Sequence, residues 1–241
     1  MRFPLLVVLL VGLGACQTTD TTRLANVQVS FATQAPAPSA ARLALGDTII
    51  ENGNTLVIIR AEIVLREVEL KRVEAADCQG NDACEKFATG PVLVDLPLGP
   101  GAAQRFALDI PPGTYDQVEF DIHKPGDDDP ADLAFLQAHP DFAEISIRVQ
   151  GTFNGTAFTF TTDMNVEQRL SLSPALVIID ETSSTNLTIL VELAAWFRDE
   201  DAALINPALA NMGGVFESIV RNNIQQSMRA FEDDHDDGAD D

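Results

Sequence analysis

The chain has 241 residues, of which 46% are hydrophobic, and its 15 Lys and Arg stand against 37 Asp and Glu for a formal charge of −22. That apolar content, with 13 Phe, belongs to a folded chain and not to a disordered one, and the length allows one sizeable core or two small ones. So acidic a surface repels nucleic acid and anionic headgroups, which excludes a nucleic-acid partner and leaves divalent cations and basic partners open.

Residues 1–15 read as a secretion signal: Arg2 supplies the positive charge, Pro4 to Leu13 the apolar run, and Gly14-Ala15 the small residues that precede a cut. About ten apolar residues cannot cross a bilayer, which needs roughly twenty. Leu13-Gly14-Ala15-Cys16 resembles the lipobox of bacterial lipoproteins. The resemblance implies acylation of Cys16, and Gln17 in the place after it implies sorting to the outer membrane, with either the periplasmic or the surface face exposed. Several acyl chains, at about 0.8 kcal/mol per buried methylene, hold a protein at a membrane stably. Residues 16–25 then form a tether.

Period-two alternation runs from Asn26 to Leu193, broken at short intervals by turn residues, and predicts an all-β domain over residues 26–197. Val27, Val29 and Phe31 mark the first strand, and Pro36 and Pro38 end it. Asn52-Gly53 predicts a tight hairpin into a long strand. In that strand Ile63 and Leu65 share one parity and Val68 and Leu70 the other, so a β-bulge near Arg66-Glu67 is expected to restore a single inward face.

Cys78 and Cys84 remain after lipidation of Cys16, and in an oxidising compartment they are expected to pair across a five-residue loop; a two-Cys metal site is the alternative, with no His nearby to complete it. Pro91 to Leu96 and Arg105 to Ile110 predict two further strands, and Val118, Phe120 and Ile122 another, whose Glu119 and Asp121 face water. Ala131 to Ala138 predicts a short helix with Asp128 or Asp129 as its cap and Pro130 in its first position. Asn154-Gly155 is a second hairpin signal, returning through Phe158 and Phe160. Val166 to Leu172 and Leu187 to Leu193 close the series at nine or ten strands, a mainly β, two-sheet antiparallel β-sandwich.

Beyond Phe197 the pattern changes. Asn206-Pro207 has the order of a helix start, and Phe216, Val220, Ile224 and Met228 repeat every four residues, so residues 198–231 are predicted as a helical segment carrying one amphipathic helix. That helix either packs on the sandwich or binds a partner. Residues 232–241 hold seven carboxylates and read as a solvated acidic tail.

Pro111-Pro112-Gly113-Thr114-Tyr115-Asp116-Gln117-Val118 follows an Ala107-Leu108-Asp109-Ile110 strand, with Ile63 to Leu70 before it and Thr185 to Val191 after. In this ordering the chain resembles a domain-of-unknown-function family of secreted and lipid-anchored bacterial and archaeal proteins. The resemblance implies a prealbumin-like or immunoglobulin-like sandwich over about Val27 to Leu193 and lends no activity.

Asp233, His235, Asp237, Gly238 and Asp241 occupy the one, three, five, six and nine places of a Ca²⁺ loop, although His is a poor ligand and the twelfth place is missing. Asp127 and Asp129 offer a second candidate Ca²⁺ site, with helix capping as the competing reading. No HExxH, nucleophile elbow, phosphate loop or dinucleotide fingerprint is present. The expected function is a non-enzymatic binding or structural module of the cell envelope, contacting a protein or glycan. The alternative is a hydrolase of envelope polysaccharide built on a loop carboxylate pair, with Tyr115, Phe158 and Phe160 as a possible sugar platform or, more simply, core.

Overall fold

The computed structural model describes residues 24–33, 47–73, 90–99, 101–180 and 184–233. Cys16, Cys78, Cys84, His235, Asp237 and Asp241 lie outside the described residues. Strand alternation builds β1 (Ala25–Thr33), β2 (Asp47–Glu51), β3 (Asn54–Arg72), β4 (Val92–Asp95), β5 (Ala102–Ile110), β6 (Gly113–Ile122), β7 (Ile147–Phe153), β8 (Thr156–Thr162), β9 (Val166–Ile178), β10 (Ser184–Val191) and β11 (Met228–Glu232). Both Asn-Gly signals hold, because Asn52 and Gly53, like Asn154 and Gly155, take the positive φ angles that a two-residue hairpin requires.

Two sheets form a sandwich: one runs β11-β10-β1-β5, and the other β8-β7-β3-β6-β9 with β2 and β4 also on β3. Their inner faces carry Val27, Val29 and Phe31 from β1 and Val118, Phe120 and Ile122 from β6, all essentially buried. The expected bulge is present. Pairing steps from Arg66↔Asp121 to Glu69↔Glu119, and Glu67 sits at φ 55°, which brings Leu65, Val68 and Leu70 to the same interior. One pairing departs from the antiparallel expectation: β1 and β10 run parallel. Parallel neighbours need a long crossover, and here most of the domain lies between them.

β3 is the axis of the larger sheet. Leu65 pairs with Val92 on one edge and Ile122 on the other, while Ile63 pairs with Val94 and Ile147, so β6 and β7 lie end to end along one edge of β3. They meet at Val64, whose N–H donates to Ser146 O at 2.8 Å and whose carbonyl accepts His123 N–H at 2.9 Å. The chain between them makes α1 (Pro130–Ala138) and a 3-10 turn (Pro140–Phe142), and Phe135 and Phe142 pack with Val64 as a small satellite core.

The C-terminal segment differs from expectation. Asn206 does cap Pro207, its side chain accepting from Ala208 N–H, but that helix lasts only three residues, Pro207–Leu209. Gly213 then takes φ +77°, and a Cβ at Gly214 would collide with the Leu209 and Asn211 carbonyls. The helical pattern resumes as α3 (Glu217–Gln226), which buries Val220 and Ile224 against the core and contacts α2 (Leu193–Trp196). Met228 and Phe231 are not helical. They belong to β11, because the open edge of β10 offers Leu187–Val191 a full antiparallel ladder that outweighs one more helical turn. The first two residues of the predicted solvated tail are not solvated tail: Glu232 ends β11, and Asp233 is fully buried and accepts the Thr188 hydroxyl at 2.9 Å.

Candidate functional site

The junction of β6 and β7 produces the most elaborate polar site in the described residues. β6 delivers His123 immediately after Ile122, and Pro125-Gly126 turns the chain toward α1. Asp129 has extended backbone and its side chain accepts from Ala131 N–H at 2.7 Å, capping a helix that opens on Pro130, as the sequence predicts. Asp132 then falls in the first helical turn, where the helix's positive end favours a carboxylate.

His123 Nε2 lies 2.8 Å from both oxygens of Asp132, and Gly126 N–H donates to the same carboxylate at 2.9 Å. Both side chains are about 95% buried. This network assigns the proton to Nε2, so Nδ1 is the remaining position of the ring, and it is buried without a hydrogen-bond partner. An open pocket of about 710 Å³ lies over this pair, walled by Arg66, Lys124, Asp127, Asp128, Glu144 and Asn165 among others. Arg66 stands 3.6 Å from Asp129 and 3.9 Å from Asp121, too far for direct hydrogen bonds, and its Nε is buried with none. Lys124 pairs with Glu144 at 2.7 Å, a contact that raises the lysine's pKa.

Beside it, the outer surface of β3-β6-β9 holds a shallower acidic hollow of about 250 Å³ lined by Glu67, Glu69, Glu119, Asp121 and Glu167. Burial, then repulsion from Glu67, lifts the Asp121 carboxyl above its ordinary value. Lys71 is pulled down by burial, but hydrogen bonds to Glu69 and Glu119 outweigh that and raise it. Arg66 touches both hollows, since its ion-pair partners Glu67 and Asp121 line one and Asp129 the other.

Of the Ca²⁺ expectations, the site at Asp127 and Asp129 does not assemble, and of the tail set only Asp233 lies among the described residues. Among the described residues no three His, Cys, Asp or Glu side chains converge as a metal site. Asp127 is exposed, Asp129 is committed to Ala131 N–H and Arg66, and Asp233 is turned into the sheet toward Thr188. The aromatic platform is likewise core: Tyr115 and Phe160 are 1% exposed and Phe158 8%, with the Tyr115 hydroxyl donating to Pro111 O at 2.6 Å. The acidic run Asp199-Glu200-Asp201 is a turn, in which Asp199 accepts from Asp201 and Ala203 N–H.

His123 and Asp132 belong to no motif of the sequence. No local signal marks such a pair, because nine residues and a turn separate them. Glu62 likewise carries no sequence signal: it is fully buried between Arg60 and Arg148, and Arg148 ties the α1 insertion to the sheet through Asp141.

No family model matches the chain, and no curated protein sequence matches it. Among solved structures, MbnP from Methylosinus trichosporium is similar over 73% of this chain and 79% of that one, at 12% identity and a TM-score of 0.35. A likeness that distant says nothing about activity. No helix of the described residues is long and apolar enough to cross a membrane.

Proposed function

We propose that this chain is a lipid-anchored module of the bacterial cell envelope, held through Cys16, that binds a basic segment of an envelope protein and does not transform it. The observation that carries the binding reading is the make-up of the pocket over His123 and Asp132: its walls are mostly charged and polar side chains, from β3, α1 and the loops around them, with no aromatic ring besides His123 among them. A glycan-cleaving groove needs a carboxylate pair facing each other across a sugar, usually with an aromatic floor. Here the candidate aromatics are core, and Asp127 and Asp128 point from an exposed loop. Carboxylates on the rim, beside Arg66 and Lys124 already held by acidic partners, suit a ligand whose Lys or Arg side chains exchange into those ion pairs.

Fluorescence anisotropy of a labelled oligolysine peptide tests this. Asp127→Asn with Asp128→Asn should weaken binding about tenfold, more than the same charge change made at the exposed Glu200→Gln with Asp201→Asn, and added salt should abolish the difference. Equal loss from both double variants would mean that only net charge is being read, and the pocket assignment would fall. Mass spectrometry of the mature N-terminus tests the anchor independently.

A further inference from the structure

The tether and the exposed apolar side chains select one end of the sandwich. β1 begins at Ala25, which pairs with Ile110, and Ile110 stands three residues before Gly113, where β6 begins beside Ile178. Leu24 therefore emerges at the end of the domain where β3 finishes and β6 starts. At that end Val73 N–H donates to Thr114 O, and Thr114 pairs with Val177, which sets Val73, just past the end of β3, in a row with Thr114 of β6 and Val177 of β9. Leu176 and Ile178 point inward, so Val177 points outward, and Ile179, which follows the last strand residue, is exposed. Exposures are 45% for Leu24, 44% for Val73, 55% for Val177 and 80% for Ile179.

Only eight residue steps separate Cys16 from Leu24, a reach of at most about 29 Å. An acylated Cys16 would thus keep this end within a short distance of the headgroups while the rest of the domain projects away. We infer that this end of the sandwich is the membrane-facing surface, with Val73, Val177 and Ile179 entering the interfacial region of the bilayer; the inference rests on the anchor reading above. Water makes exposure of such side chains unfavourable, and a lipid interface held permanently nearby removes that cost. The pocket at the β6/β7 junction then lies beyond it, open to the aqueous phase.

Val215 is the internal control: it is 79% exposed, nearly equal to Ile179, but belongs to the segment beside β8. β8 joins β3 through β7, whose pairing stops at Ile63, nine residues and about 30 Å short of Arg72. The test uses full chain, processed in a lipidating bacterium and reconstituted into phosphatidylcholine vesicles with and without brominated acyl chains. Ile179→Trp and Val215→Trp each add one indole to the buried Trp196, and both sites are solvent-exposed, so the fold tolerates them. Selective loss of the Ile179→Trp emission on brominated vesicles is the expected result. Equal quenching at the two positions, or none, in protein that mass spectrometry shows to be acylated overturns the orientation and leaves the anchor standing. Unacylated protein that fails to float with the vesicles overturns both, and flotation distinguishes the two failures.

Discussion

Arg148→Ala attacks the one fully buried carboxylate that braces the β6/β7 junction. Glu62 has no exposed surface; Arg148 Nε meets it at 2.7 Å and Arg60 at 2.8 Å. Arg148 also lies 4.4 Å over the Phe142 ring and pairs with Asp141, which fixes the α1 insertion. Removing one partner of a buried pair costs about 3–5 kcal/mol, because the other charge is stranded. Arg60, itself half exposed, stays 2.8 Å from Glu62 as an ion pair without a hydrogen bond and holds the cost toward the lower bound, while loss of the ring contact adds about 0.5–1 kcal/mol. The variant should therefore lose about 3–4 kcal/mol, a large share of a domain stability of about 5–15 kcal/mol. Urea unfolding followed by Trp196, the single tryptophan and fully buried, reads this directly. The double variant Glu62→Leu with Arg148→Met removes both charges and should recover most of the loss, since Arg60 and Asp141 are exposed enough to be satisfied by water. A single variant that loses under about 1 kcal/mol, or a double variant that loses as much as the single, would refute the stranded-charge reasoning.

Gly151→Ala should destabilise by several kcal/mol or prevent folding, because its Cβ would stand far inside contact with the Val57 carbonyl, and a thermal melt suffices to check it. Asp121→Asn should stabilise at neutral pH: with the folded carboxyl raised above 3.8, its favourable contribution is present below that value and lost as pH rises through the folded one, so the gain over wild type should vanish near pH 3. Asp163 behaves oppositely. Its hydrogen bond from Arg221 at 2.6 Å lowers the carboxyl, so the stability it lends is present above 3.8 and lost as pH falls through the lower folded value; Asp163→Asn should narrow the pH dependence of urea midpoints on the acid side only. Asn211→Ala removes the side chain that accepts from Thr161 N–H and donates to Thr159 O on the outer edge of β8, and should cost about 1–2 kcal/mol while promoting self-association detectable by sedimentation.

Features set by neighbouring residues were legible before the structure. Asn52-Gly53 and Asn154-Gly155 bend as expected because Asn and Gly tolerate positive φ, and the parity slip between Leu65 and Val68 announced the bulge at Glu67 because side chains alternate strictly along a strand. The cap at Asp129 was legible for the same local reason. Met228 and Phe231 misled, since two or three apolar positions fit a helix stripe and a strand face equally, and only the free edge of β10 chose between them. Asp233 misled because composition describes a tail but not the buried Thr188 hydroxyl waiting for it.

By itself, then, the order of residues determined which segments extend, where they turn and which side chains face inward, all consequences of backbone sterics and period-two burial acting over a few residues. Tertiary structure alone decided that β1 and β10 lie parallel, that Glu62 meets Arg148 from 86 positions away, and that His123 and Asp132 close into one buried pair. Those choices depend on which distant edges and charges come together when the core is sealed, and long-range closure leaves no periodic trace along the chain.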